Sequence, residues 1–288
     1  MVPPGARQEI FQTAQTGSNP VGGARKEHMN RHLNFKASAL EEETLRKQAP
    51  SIFAGGPMSG VSSRYSFVPT ARIVSGLREM NWVPVAVEEQ RIRLEARRGF
   101  QKHLIRFRRA EQMETLDEWN VELVLLNSHD AGCAYQIHAG IHRRICSNGL
   151  VISETGFEAI RFRHAGLDAD AVVQSSLRLL EFMPRVGELV QRFRERTLDT
   201  SESLDLAGHA LRLRYASLEE APVEPETLLK SRRVEDEGAD LWAVTNRVQE
   251  NLCRGGVSDW RRDRRGRLRS VRGLHGIDSR VSVNKGLW

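Results

Sequence analysis

The chain has 288 residues, of which 40% are hydrophobic and 28% charged, an ordinary globular composition with room for one large core or two modest ones. Lysine and arginine number 43 against 37 acids, a formal charge of +6, and the three cysteines (Cys133, Cys146, Cys253) have no framework spacing. A disulfide scaffold is therefore excluded and a reducing cytoplasm expected, while the lack of any apolar run near about 18 residues or of a signal-like segment argues against membrane insertion and export.

Residues 1–62 are rich in Gly, Pro, Ser, Gln and Lys, with one short polar helical pattern around Ala37 to Lys47, and read as a mostly disordered arm. An α+β core is expected over 63–200, with order beginning at Tyr65. Pro69 suits a first helical turn, and Ile73, Val74 and Leu77 recur at helical spacing up to Met80. In WVPVAVEEQRIRL (82–94) the period changes to two: Val83, Val85 and Val87 alternate with Trp82, Pro84 and Ala86, then Arg91 and Arg93 with Ile92 and Leu94. That is the pattern of a half-buried strand. After the turn ARRGF, Lys102, Arg106 and Arg108 alternate with His103, Ile105 and Phe107. WNVELVLLN (119–127) reads as a central strand and CAYQIHAGIHRRI (133–145) as a fourth, so the spacing predicts an antiparallel meander.

Helical periodicity returns over Ala171 to Leu198, where Val172, Leu179, Met183, Val186, Val190 and Phe193 form a stripe and Pro184 predicts a kink or break. Residues 201–288 read as a helical C-terminal region (DLAGHALRL, PETLLKS, LWAVTNRVQENLC) with a basic tail. The last 38 residues hold nine Arg and one Lys against three Asp, 10 − 3 = +7, so the rest of the chain sums to about −1. Basicity is polarised towards one end.

His129, Cys133, His138, His142 and Cys146 recur at metal-like intervals. On a strand, however, residues four apart are separated by about 13 Å, whereas zinc gathers its donors within about 2.0–2.3 Å. Neither a metal, a cofactor nor a cysteine nucleophile is expected, and no catalytic constellation is visible. The basic residues carry more. Arg91 and Arg93 on one strand and Lys102, Arg106 and Arg108 on the next would form one phosphate-tracking surface if the strands pair, the alternative being a solvated face. Arg143 and Arg144 point to opposite faces, so at most one can join it. Arg178, Arg185 and Arg192 recur every seven residues, as a solvated helix face or as the floor of the same groove. Trp260 lies among Arg261, Arg262, Arg264 and Arg265, a set in which a base could stack while guanidinium groups hold phosphates, unless the segment is a flexible tail.

YSFVPTARIVSGLREMNWVPV, NSHDAGCAYQIHAGIHRRICSNGLV, LWAVTNRVQENLCRGG and NKGLW closely resemble an uncharacterised phage- and plasmid-borne family with a C-x-N-G-L hallmark, over Tyr65 to Trp288. A helix ending in Met80-Asn81-Trp82, a charged meander and a long helix also resemble, more distantly, the Rad-type single-strand annealing superfamily. That resemblance implies a Trp packed under the sheet and a basic long helix flooring a groove for single-stranded DNA. The expected function is sequence-tolerant single-stranded DNA binding and annealing in recombination or replication of a mobile element, by a homo-oligomer such as a ring. The alternatives are a metal-dependent nuclease drawing on acids such as Glu122, Asp130 and Glu250, and an anti-defence or regulatory protein that binds a host protein.

Overall fold

The structure, a computed structural model, describes residues 38–114, 118–143, 149–151, 160–162, 164 and 168–287. Its centre is the expected antiparallel meander: β1 (Trp82–Glu89), β2 (His103–Arg109), β3 (Trp119–Asn127) and β4 (Tyr135–Arg143) pair in chain order. Two short strands share the far side of β4. There, β5 (Gly149–Val151) pairs with Gly140–His142, and β6 (Ile160–Phe162) pairs with Tyr135–Ile137.

Order begins earlier than Tyr65. Helix α1 (Glu42–Gln48) and a 3-10 turn at Pro50–Phe53 bury Leu45, Ala49 and Ile52 in the main core, a correction to the disordered arm expected over 1–62. Three apolar residues in a polar stretch suffice because they insert beside the sheet. The part of that expectation covering 1–37 lies outside the described residues. Leu40 N–H also donates to Pro84 O at 2.7 Å, so this segment shields the free edge of β1.

Helix α2 (Thr70–Glu79) follows Pro69 and buries Ile73, Val74 and Leu77 along one stripe. Asn81 then adopts a left-handed φ of 61°, which asparagine tolerates just past a helix end. This reversal sends Trp82 under the sheet, where it is 1% exposed. In β1 the register shifts between Pro84 and Ala86. The bulge moves the buried face from Trp82 and Pro84 to Val87, so the simple alternation expected for 82–94 does not hold. An edge strand accepts Pro84 because one side of its backbone needs no ladder donor.

One face of the sheet, with Ile105, Phe107, Leu123, Leu125, Ile137 and Ile141, packs on α2 and on the long α3 (Ala169–Glu195). Asp168 caps α3 by accepting from Asp170 N, and the helix runs unbroken through Pro184. Val186 and Val190, buried beyond the proline, hold the second half against the core and offset the lost backbone bond.

A second core gathers α4 (Thr200–Arg212), α5 (Pro225–Leu228) and α6 (Leu241–Arg254) around Leu211, Val244, Val248 and Leu252. The expected basic tail is folded: β7 (Ser258–Arg262) and β8 (Leu268–Ser270) form a hairpin, and α7 (Ile277–Gly286) follows. Ile277 and Val281 of α7 pack on Leu104, Val124 and Leu126, on the second face of the sheet. Val283 and Leu287 enter the second core. No helix among the described residues is long and apolar enough to cross a membrane.

Candidate nucleic-acid interface

The sheet does not present the basic surface expected of it. Strand β1 ends at Glu89, so Arg91 and Arg93 lie on an exposed loop rather than on a strand face. Lys102 is paired with Asp278 of α7 at 2.6 Å. Arg106 and Arg108 converge on one carboxylate, with Arg106 Nε 2.7 Å from Glu122 Oε2 and Arg108 Nη2 2.7 Å from Oε1. Glu122 is 1% and Arg108 3% exposed. Burial alone would raise the Glu122 pKa, but Arg106, the neighbouring His142 and Arg108 outweigh it and hold the carboxyl below its ordinary range. A phosphate would have to displace this carboxylate.

Arg143 is equally committed. Its guanidinium donates to Asp236 at 2.7 Å and Glu118 at 3.2 Å and lies 5.8 Å from the Trp242 ring centroid, tying β4 to the second core. Arg144 and the Cys146-Ser147-Asn148 segment lie outside the described residues. Arg178, Arg185 and Arg192 occupy an exposed side of α3, whereas Val172, Val186 and Val190 face the sheet, so the stripe does not floor a groove against it.

The histidine series divides between the two faces. His129 joins His103 (both on the core side) around Thr70 Oγ1, which lies 3.2 Å from His129 Nε2, 2.9 Å from His103 Nε2 and 2.9 Å from Tyr135 Oη. His138 and His142 lie on the second face, on the β4 positions that alternate with core-facing Ile137, Ala139 and Ile141. Burial pushes His103 and His138 down to about 3, and His129 and His142 down to about 4. Among the described residues, no three His, Cys, Asp or Glu side chains are grouped as a metal site requires. The acids named for a nuclease are dispersed: Glu122 faces two arginines, Asp130 lies 3.7 Å from Arg97, and Glu250 pairs with Arg233 and Arg254.

The C-terminal hairpin does hold its cations in the open. Strand alternation sorts SDWRR (258–262) into two sets. Asp259 and Arg261 face the body: Asp259 Oδ2 accepts from Glu224 N at 2.6 Å, and Arg261 reaches Glu224 Oε1 and the carbonyls of Leu218 and Ala221 at 2.5–2.8 Å. Trp260, 73% exposed, and Arg262 face solvent. At the tip, exposed Asp263 folds its carboxylate back onto the turn. Its carboxylate accepts from the backbone N–H groups of Arg265 and Arg267 at 2.8 and 3.0 Å, and Gly266 takes a left-handed φ of 73°. Arg262, Arg264, Arg265 and Arg267 are exposed and form no ion pair among the described residues. A two-stranded hairpin is marginal alone, and the Asp259 and Arg261 anchors stiffen it.

The base of the hairpin is fastened by a backbone crossing. Gly255 ends α6 with φ 70°, and a Cβ there would lie 2.4 Å from Gly273 N. Gly256 N then donates to Val271 O, and Leu274 N to Cys253 O, both at 2.7 Å. Beside this crossing lie Arg214 and Tyr215, just after α4, against Arg269 and Arg272. Reading the sequence missed Arg214 and Tyr215, because nothing in a helix end forecasts which distant strand will meet it.

Similarity to known proteins covers the sheet and both cores. A family model described as "Domain of unknown function (DUF932)" matches residues 57–288, beginning after α1. Two proteins of Escherichia coli K12, UPF0380 protein YafZ and UPF0380 protein YfjQ, are each 33% identical over 249 residues, covering 86% of this chain and 89% of theirs. No solved structure matches. With the model spanning everything from the approach to α2 through the hairpin and α7, the chain belongs to the DUF932 family.

Proposed function

We propose that the chain binds single-stranded DNA without sequence preference and acts as an annealing protein, with the β7–β8 hairpin as its principal contact. The carrying observation is Trp260, 73% exposed on a stiffened hairpin beside Arg262, Arg264, Arg265 and Arg267, which have no carboxylate partner among the described residues. A large aromatic exposed to water offers a stacking platform, and the surrounding guanidinium groups hold phosphates whatever the base. The succession of a short helix, a meander opening at Trp82 and a long helix supports kinship with the Rad-type annealing superfamily. The pairing of Arg106 and Arg108 with Glu122 moves the expected contact from the sheet to the hairpin.

Four phosphate contacts from Arg262, Arg264, Arg265 and Arg267 give a log–log salt slope of about −3, or about fiftyfold weaker binding between about 50 and 200 mM salt. Fluorescence anisotropy with labelled oligothymidylate and with duplex DNA measures this directly. Trp260→Ala should weaken single-strand binding about tenfold and leave duplex binding nearly unchanged. Salt-independent binding, or equal loss on both substrates, overturns the reading. The annealing role adds oligomerisation, which mass measurement with and without oligonucleotide tests.

A further inference from the structure

A cavity of about 400 Å³ opens at the base of the hairpin, between the end of α4 and β8. Tyr215, Pro222 and Leu268 supply its apolar lining, and Leu268 is 53% exposed. Arg214, Arg269 and Arg272 line it too, and none forms an ion pair among the described residues. Two are held in place by carbonyls: Arg214 Nη1 donates to Leu252 O at 2.6 Å and Arg272 O at 2.8 Å, and Arg269 donates to Glu220 O. These bonds occupy single nitrogens and leave other N–H groups of each fork available. The one acid in the lining, Asp263, has its carboxylate engaged by the tip backbone.

Three cations against one carboxylate, beside an aromatic and an exposed aliphatic surface, leave a positive excess that suits a ligand with a flat apolar part and an anionic part. The volume lies at the small end of the range for small-molecule sites, about 300–1,000 Å³, and fits one nucleotide rather than a duplex. We propose that this cavity is a nucleotide subsite, taking one base against Tyr215, Pro222 and Leu268 and its phosphate on Arg214, Arg269 and Arg272. It rests on the single-strand reading, as the place where one nucleotide of a strand crossing the hairpin is seated. A free nucleoside monophosphate has the same chemistry and serves as the probe.

The test uses the full chain with adenosine monophosphate, inorganic phosphate and oligothymidylate. Saturation transfer from protein to the adenine protons should be seen, and Leu268→Ser and Arg272→Gln should each weaken it at least fivefold. Both positions are solvent-exposed, and circular dichroism verifies that the variants fold. Phosphate should compete only partially. Absence of transfer, transfer unchanged in both variants, or complete displacement by phosphate with no effect of Leu268→Ser overturns the subsite. The tip variant Arg264→Gln/Arg265→Gln separates the two ideas. Oligothymidylate binding that depends on the tip and not on Leu268 or Arg272 removes the subsite alone. Mononucleotide binding in the cavity without any binding of oligothymidylate removes the single-strand reading alone.

Discussion

Glu122→Gln tests the claim that the second face of the sheet is an internal ion cluster rather than a phosphate surface. The carboxylate takes four guanidinium contacts: Arg106 Nε at 2.7 Å and Nη2 at 3.4 Å, Arg108 Nη2 at 2.7 Å and Nε at 3.2 Å. A glutamine offers one acceptor oxygen, and its amide turns N–H groups towards donors. Two guanidinium groups are then left near a neutral side chain, with the Arg108 side chain only 4% exposed. Removing one partner from a buried ion cluster costs about 3–5 kcal/mol. At about 2–4 °C per kcal/mol for a chain of this size class, Tm should fall by roughly 6–20 °C. Thermal melts followed by circular dichroism give the number. The triple variant Glu122→Leu/Arg106→Met/Arg108→Met should recover most of the loss, because no buried charge is left without its partner. A Tm within about 2 °C of the parent for Glu122→Gln would refute the argument, since it would mean that water already solvates both arginines.

Buried His103, His129 and His138, with partly buried His142, make stability fall in mild acid. Their folded pKa values of about 3 to 4 lie below the unfolded value of about 6.5, so between those limits the unfolded chain binds the extra protons. At pH 5 each contributes up to about 2 kcal/mol of destabilisation, and melts should show a steep decline in Tm from pH 7 to 5; a flat profile there contradicts the burial assigned to them. Gly255→Ala should cost at least about 3 kcal/mol in urea unfolding, from the left-handed strain together with the collision with Gly273 N. Gly256→Ala, also at positive φ but with open space around it, should cost only about 1–2 kcal/mol, and equal losses would dismiss the crossing as the cause. Arg143→Ala should destabilise by about 3–5 kcal/mol, because Asp236, whose pKa burial already raises despite Arg143, loses its cation. Scanning calorimetry checks it.

The strands and helices were legible because each announces its period: alternation in 103–109 and 135–143, helical stripes in 70–79 and 241–254. Partners across the sheet were not. The row Lys102, Arg106, Arg108 looks unopposed in its own segment; Lys102 finds its acid on distant α7, and the acid that neutralises Arg106 and Arg108 is the one charge in β3. Only the β2–β3 register, which pairs Arg106 with Val124, brings Glu122 within reach of both arginines. The end of β1 was misplaced because RIRL continues the alternation while the hairpin ladder ends at Glu89 and His103. At the C-terminus, Asp-Arg-Arg-Gly-Arg is a turn signal, but a run so rich in arginine reads as a tail. Recognising that turn would have separated inward Arg261 from outward Arg262.

Helix α7 has a consequence for how the molecule comes apart. It touches the outer sheet layer through Ile277 and Val281 and the helical core through Val283 and Leu287, with Lys102–Asp278 and Gln249–Asn284 contacts on either side. Trp242 of α6 spans the same divide from the other side of the sheet, buried in the main core while Val244 and Val248 belong to the second. Two cores sharing such straps have little reason to melt separately. Opening either one strands apolar side chains of the other in water, so their free energies combine into a single cooperative unit, and amides in both should exchange with solvent only through the same global opening.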